Sequence, residues 1–549
     1  MKKLILPVAC LFSLTLGAFI SKVAELPPLT VDVVNQAEKI LGIDFTDAEA
    51  DSMLNDLNDN RKDFEAMRKF PLDNSVSPAL YFNPLPVGFE FDKNYQPFKA
   101  SQIGTVKLPA NRDDLAFYSV RELGELLRTK QISSLELTKF FLERLKKYDA
   151  QLHCVVSFTE DLALKQAAQA DAEIKSGKYR GFLHGIPYGA KDLLAVKGYK
   201  TTWGSVPYKD QMIDKNATVI QRLEKAGAVL CAKLTLGELA MGDVWFGGKT
   251  LNPWDLKRGS SGSSAGSASA VSAGLLPFAI GSETLGSIVS PSTECGTTGL
   301  RPTFGRVPRT GAMALSWSMD KLGPICRTVE DCALVQNIIQ GVDNQDFTCM
   351  NAPFNYDGTK GIKGMKIGYV KSDFERKYPN KTTDSLTLTM LKKLGAELVP
   401  IELPTLPSNE ISFLLGVEAA AAFDELTRSG KDDLMVRQGK NAWPNAFRSA
   451  RFVPAVEYLQ ANRHRTLLIQ ELDKTLKGLD VYITPSFSKN LTMTNLTGHP
   501  CVVLPNGFRS EGRPVSITFM GKLFGEAKLL QVAKAYQDAT DFHKKDPKL

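Results

Sequence analysis

Cysteine is sparse and unpatterned in this chain. The 549 residues hold eight cysteines. Setting aside Cys10 leaves an odd, widely spaced set in a chain too large to need covalent staples. Only Cys326 and Cys332 stand close together, and nothing resembles the paired CxxC spacing of a zinc site. Core packing is the role expected of most of them, and no metal or cofactor is expected. Long runs of one charge are missing too. The net charge of +7 is the small difference between 67 cations and 60 anions. The densest basic clusters, Arg144 with Lys146 and Lys147, and His543 with Lys544 and Lys545, lack the interleaved aromatics of a single-strand binder. They belong on a solvated surface, so nucleic acid is not an expected partner. No fixed-period repeat is visible. With 43% hydrophobic and 23% charged residues, the composition is that of a soluble globular enzyme and excludes wholesale disorder.

The one long apolar run lies at the start. Lys2 and Lys3 precede an apolar stretch over 4–20, followed by Ser21 and Lys22. That order reads as a secretory signal covering residues 1–24. The run is short for a membrane span, which needs about 20 residues, and Pro7 and Gly17 interrupt it. An exported protein, periplasmic or secreted, is therefore expected. A membrane enters only if the segment stays uncleaved as an anchor.

Residues 25–112 read as a helical extension. Apolar residues fall at helical spacing over 31–41. Thr46 to Glu49 forms a capping box that opens a second helix running to about residue 68. Pro71 and the proline-rich stretch 75–86 read as a connector lying on another surface. The catalytic domain is expected over 113–545. There, helical patterns at 119–147 and 161–174 alternate with short apolar runs at 154–158, 228–232, 275–280, 365–370, 398–401, 481–484 and 502–505. This alternation predicts an α/β domain with a mostly or partly parallel sheet.

Chemistry concentrates between Gly185 and Pro302. The Gly/Ser run from Arg258 to Ser267 would ordinarily be a flexible linker. Here it leads into a helix-competent Ala/Ser segment and an apolar run, and a second Gly/Ser turn from Gly281 to Pro291 repeats the arrangement. Gly262 to Gly266 fits the G-x-S-x-G nucleophile elbow, but the preceding residues carry a proline and charges where a hydrophobic strand is required. Among the downstream histidines His464, His499 and His543, only His499 has a suitable setting for the base. Gly248-Lys249-Thr250 ends like a phosphate-binding loop, but Asp243 stands where its first glycine is needed. The remaining option is a lysine base, which must be buried or crowded by cations to shed its proton. Lys191 follows small and apolar residues, which makes it a candidate. A solvated surface position remains the ordinary role of a lysine.

Three segments, taken in order, resemble the amidase signature family. They are Gly185 to Asp192, Asn252 through Gly262-Ser263-Ser264 to Ser267, and Gly281 through Leu285-Gly286-Ser287 to Pro302. Thr201 to Ser205 and Thr494 to Pro500 agree as well, and the resemblance covers roughly 116–542. It implies the family's α/β fold, a central mixed twisted sheet covered by helices on both faces. It also implies hydrolysis of carbon–nitrogen bonds in linear amides through an acyl-serine intermediate. Ser287 corresponds to the nucleophile, Ser263 to a bridging serine typically held by a cis peptide, and Lys191 to the base. The backbone N–H groups of Thr284, Leu285, Gly286 and Ser287 correspond to the oxyanion hole. The expected partner is a small amide substrate, and a homodimer is left open. Alternatives are a glutaminase-type subunit of a tRNA-dependent amidotransferase, which Glu238 to Gly242 resembles, and an inactive binding homologue. Three positions depart from the family pattern. Leu285 stands for a glycine and must tolerate the loop's backbone angles, Glu283 stands for an aspartate, and Val289 stands for an arginine. The loop is therefore expected to be braced differently.

Overall fold

The computed structural model describes residues 27–70 and 72–549. The basic–apolar start with Cys10, and Pro71 in the expected connector, lie outside them. The chain divides into two compact units between Leu72 and Asp73.

The first unit is a helix pair. Helix α1 (Val31–Leu41) starts at Thr30, whose side chain accepts the Val33 N–H, and stops at Gly42 in the left-handed region. Helix α2 (Asp47–Met67) opens with the expected capping box, Thr46 and Glu49 each accepting the other's backbone N–H.

The second unit is built on one mixed sheet of eleven strands. In chain order these are β1 (Val155–Phe158), β2 (Pro187–Lys191), β3 (Val229–Leu234), β4 (Phe278–Glu283), β5 (Thr298–Arg301), β6 (Lys321–Cys326), β7 (Lys366–Val370), β8 (Glu397–Ile401), β9 (Val481–Pro485), β10 (Cys501–Phe508) and β11 (Pro514–Gly521). Across the sheet they run β1-β3-β2-β4-β6-β5-β10-β11-β9-β7-β8. The parallel pairs are β3 with β2, β2 with β4, β9 with β7, and β7 with β8. The remaining pairs are antiparallel. Strands β2, β3, β4 and β6 are buried at every position, as strands covered on both faces must be.

Two elements differ from their sequence pattern. The helical stretch expected over 119–147 is two helices, α3 (Val120–Arg128) and α4 (Ser134–Leu152). Lys130 turns left-handed at φ 58 between them, and a Ser133–Glu136 capping box restarts the helix. The apolar run expected as a strand over 275–280 begins as a turn, and β4 starts only at Phe278. Helix α5 (Glu160–Lys175) matches its pattern closely. The seven cysteines among the described residues are all unpaired, and all but Cys349 are buried. No helix among the described residues is long and apolar enough to cross a membrane.

Candidate active site

Lys191 is the last residue of β2, and Ser282 and Glu283 end the parallel neighbour β4. Side chains from both strands therefore emerge at the same carboxyl edge of the sheet, where open α/β sheets place their ligands. Two loop-to-helix junctions meet them there. Ser263 lies just before helix α6 (Ala265–Ser272), and Ser287 just before helix α7 (Val289–Cys295). The Ser264 N–H donates to the Ser287 carbonyl at 3.1 Å, joining the two junctions. The Gly262–Ser263 peptide is cis, the form the family resemblance implies. A Cβ on Gly262 would fall 1.9 Å from the Gly242 carbonyl oxygen, so only glycine fits there.

Lys191 is fully buried. Its Nζ lies 2.8 Å from Ser263 Oγ, 2.8 Å from Ser282 Oγ and 3.1 Å from Ser264 Oγ. Among the described residues no carboxylate pairs with it. The adjacent Asp192 instead pairs with the buried Lys233 at 2.5 Å and accepts from Thr202. Burial pulls the Lys191 pKa down to about 7, against the opposing charges of Asp320 and Glu283. The hydroxyl pattern accommodates a neutral amine as well as an ammonium. Ser264 Oγ donates to the Ser282 carbonyl and accepts the Ser282 N–H, which leaves it only an acceptor position toward Lys191. A neutral amine keeps one more N–H and a lone pair, so either Ser263 or Ser282 can donate its proton to Nζ.

Ser287 is 8% exposed, enough for contact with a small ligand, and Ser263 only 1%. Thr284 is buried, and Leu285 is packed against the apolar cluster around Val289, Met319 and Met493. The left-handed angle in this loop falls on Gly286, at φ 85, whereas Leu285 keeps a negative φ. The demand placed on Leu285 by the sequence is thus met one residue later, by the glycine that remains.

Glu283 braces the loop. Its Oε2 accepts the N–H groups of Ile288 and Val289, both at 2.9 Å, and so caps α7. Its Oε1 accepts from Arg301 Nη1 at 2.7 Å and Asn495 Nδ2 at 2.8 Å. Burial alone would raise this carboxyl, but Arg301 and Lys321 hold it at about 2. Arg301 from β5 and Lys321 supply the positive charge beside Glu283, and Val289 packs in the core. Lys321 donates to Asn495 Oδ1 at 2.8 Å, and burial with Arg301 nearby lowers its pKa well below normal. Thr284 Oγ1 donates to Asp320 at 2.6 Å.

The sequence pattern gave no role to Ser264, Ser282, Arg301, Asp320, Lys321 or Asn495. Arg301 and Asn495 stood inside the motif segments, so their place in those segments was the available signal. Asp320 and Lys321 carried none. His499, the one histidine suited to an elbow, donates or accepts at Thr497 Oγ1 (2.8 Å), and burial followed by Arg301 depresses it to about 3. No hydrogen bond joins it to Ser263 or Ser287 among the described residues.

Fold and site together describe an α/β protein whose serine-rich cleft is served by a buried lysine. Comparison with known proteins places it further. The family model described as Amidase matches residues 136–493. The A-subunit of glutamyl-tRNA(Gln) amidotransferase from Coxiella burnetii (strain Dugway 5J108-111) is 34% identical over 481 residues, spanning 78% of this chain and 99% of its own. The native peptide amidase of Stenotrophomonas maltophilia superposes with a TM-score of 0.69 at 30% identity, covering 77% of this chain and 96% of that one. A bacterial aryl acylamidase of the amidase signature family, at 21% identity and a TM-score of 0.69, shares the fold. The chain belongs to the amidase signature family of hydrolases.

Proposed function

We propose that this protein hydrolyses linear amides through an acyl-enzyme on Ser287. The observation that carries the reading is Lys191: a fully buried amine, 2.8 Å from Ser263 and titrating near 7, can be neutral at working pH. In the proposed step Ser287 Oγ attacks the acyl carbon. Its proton passes to Ser263 while the Ser263 proton passes to Lys191 Nζ. The N–H groups from Thr284 to Ser287 stabilise the oxyanion, each such donor being worth about 2.7–4 kcal/mol in comparable enzymes. The relay then returns the proton to the leaving nitrogen, the carbon–nitrogen bond breaks, and water releases the acid.

Ser287→Ala is expected to abolish both amide hydrolysis and labelling by a fluorophosphonate probe. Turnover that survives in this variant would overturn the assignment of Ser287.

A second reading, a glutaminase-type amidotransferase subunit, is favoured by the near full-length match to the amidotransferase relatives. Two observations weigh toward the first. The basic–apolar order of residues 1–24 supports export, and the Arg309 guanidinium lining the cavity beside the serines is already paired rather than free for an amino acid's carboxylate. Arg309 is paired with Asp346 at 3.1 Å, and Asp320 already accepts from Thr284, Leu315 and Ser316. Cell fractionation, with turnover of neutral amides against glutamine by the purified chain, separates the two.

A further inference from the structure

A cavity of about 250 Å³ adjoins the serine cluster, with Ser282 and Thr284 in its lining. Part of its wall comes from a distant stretch of sequence, Asn74, Ser75 and Ser77, which belongs to the same compact unit as the serines. Asn74 holds this stretch in place as a strand partner would. Its Oδ1 accepts the Ala314 N–H at 2.8 Å, and its Nδ2 donates to the Ala314 carbonyl at 2.9 Å. A longer contact from Nδ2 reaches the Ala422 carbonyl at 3.4 Å. The next two residues of the gripped loop, Leu315 and Ser316, donate their N–H groups to Asp320 Oδ2 at 2.8 and 3.0 Å. The other oxygen of Asp320 takes the Thr284 hydroxyl. A connected set of hydrogen bonds thus runs from Asn74 to the segment proposed to hold the oxyanion.

The rest of the lining decides what chemistry fits. Leu193, Met313, Leu315 and Trp317 form an apolar part of it, beside polar groups from Asn74, Ser75, Thr284, Thr310 and Gln345. Arg309 is matched by Asp346 and by the Trp317 carbonyl at 2.7 Å, whereas Asp320 accepts from Thr284, Leu315 and Ser316 and has no ion-pair partner among the described residues. Lys215, the remaining cation of the lining, is exposed to solvent, and its charge acts on Asp73. An anionic substituent would lose water without gaining a free buried cation, since Arg309 is already paired, whereas a neutral one displaces water from the apolar part of the wall.

We infer that residues 74–77 form a specificity-determining wall of the substrate pocket, one that limits the size of the acyl substituent an amide can place there. The inference rests on the amidase reading above and deepens it. Asn74 acts as a positioning residue that sets where the wall stands. The chemistry of bond cleavage stays with the serines and Lys191.

The test uses the full chain and a series of straight-chain acyl amides sharing one leaving amine, from acetyl to octanoyl. The readout is the ratio of kcat/KM for the longest to the shortest acyl group within each variant, so a change in overall activity cancels. Asn74→Ala frees the wall and is expected to raise that ratio by roughly tenfold or more, the size of discrimination that a misfit of one or a few methylenes produces. Ser75→Trp adds bulk at an exposed position, where folding is spared, and is expected to lower it. Ratios equal to wild type in both variants overturn the inference while leaving the amidase reading standing. A wild-type protein that hydrolyses no member of the series overturns both.

Discussion

Lys191 would titrate near 10.5 in water and does so at about 7 here, because burial removes the solvent that stabilises its charge. The neutral amine is the form that can accept a proton, so the sign of the pH dependence is fixed. Below pH 7 the lysine is increasingly charged, and kcat/KM is expected to fall by about tenfold for each pH unit. Above pH 7 it should reach a plateau. A pH–rate profile from 5 to 9 checks this, and activity that peaks near pH 5 contradicts a lysine base. The neighbouring Asp192, which follows β2, does not spoil the site because it is engaged with Lys233.

At the scale of elements, α7 and the loop before it depend on one carboxylate that faces two ways. Glu283 caps the helix with one oxygen and meets Arg301 with the other. Both side chains are fully buried, and removing one partner of such a pair leaves a charge without compensation, a cost of roughly 3–5 kcal/mol. Arg301→Met is therefore expected to lower unfolding stability by that order at pH 7, measured by urea denaturation. The pH dependence carries its own signature. The folded Glu283 titrates at about 2 against an ordinary 4.5, so its contribution is present above pH 4.5 and is lost as pH falls toward 2. The deficit of the variant should shrink over the same window. A deficit that is constant from pH 7 to pH 3 would assign the loss to packing alone.

For the whole molecule, the sequence was most legible where the relevant partners are local. The Thr46–Glu49 box and the helix over 31–41 appear with almost the expected bounds, since caps and helical faces are settled within a few residues. The meeting of Lys191 with Ser263 followed the ordered motif segments. Strand β2 was not anticipated as a strand, because Pro187-Tyr-Gly-Ala-Lys191 lacks the β-branched residues that mark strands and owes its form to burial between β3 and β4. The Arg301 brace escaped notice for a different reason. It joins residues brought together only when β5 enters the sheet beside β6, and no periodicity records such a meeting. The grip of Asn74 on Ala314 spans still more of the chain.

That grip gives the protein an unusual vulnerability. Ser75, Val76, Ser77 and Leu80 are exposed to solvent, so a protease can reach this stretch without the fold opening. A single nick there would leave the sheet, the serines and Lys191 intact, yet untether Ala314 and slacken the loop whose next residues hold Asp320, the partner of Thr284. Trimmed enzyme is therefore expected to change its taste in substrates before it loses its shape, and mild proteolysis followed by assay on short and long amides would reveal the order of those losses.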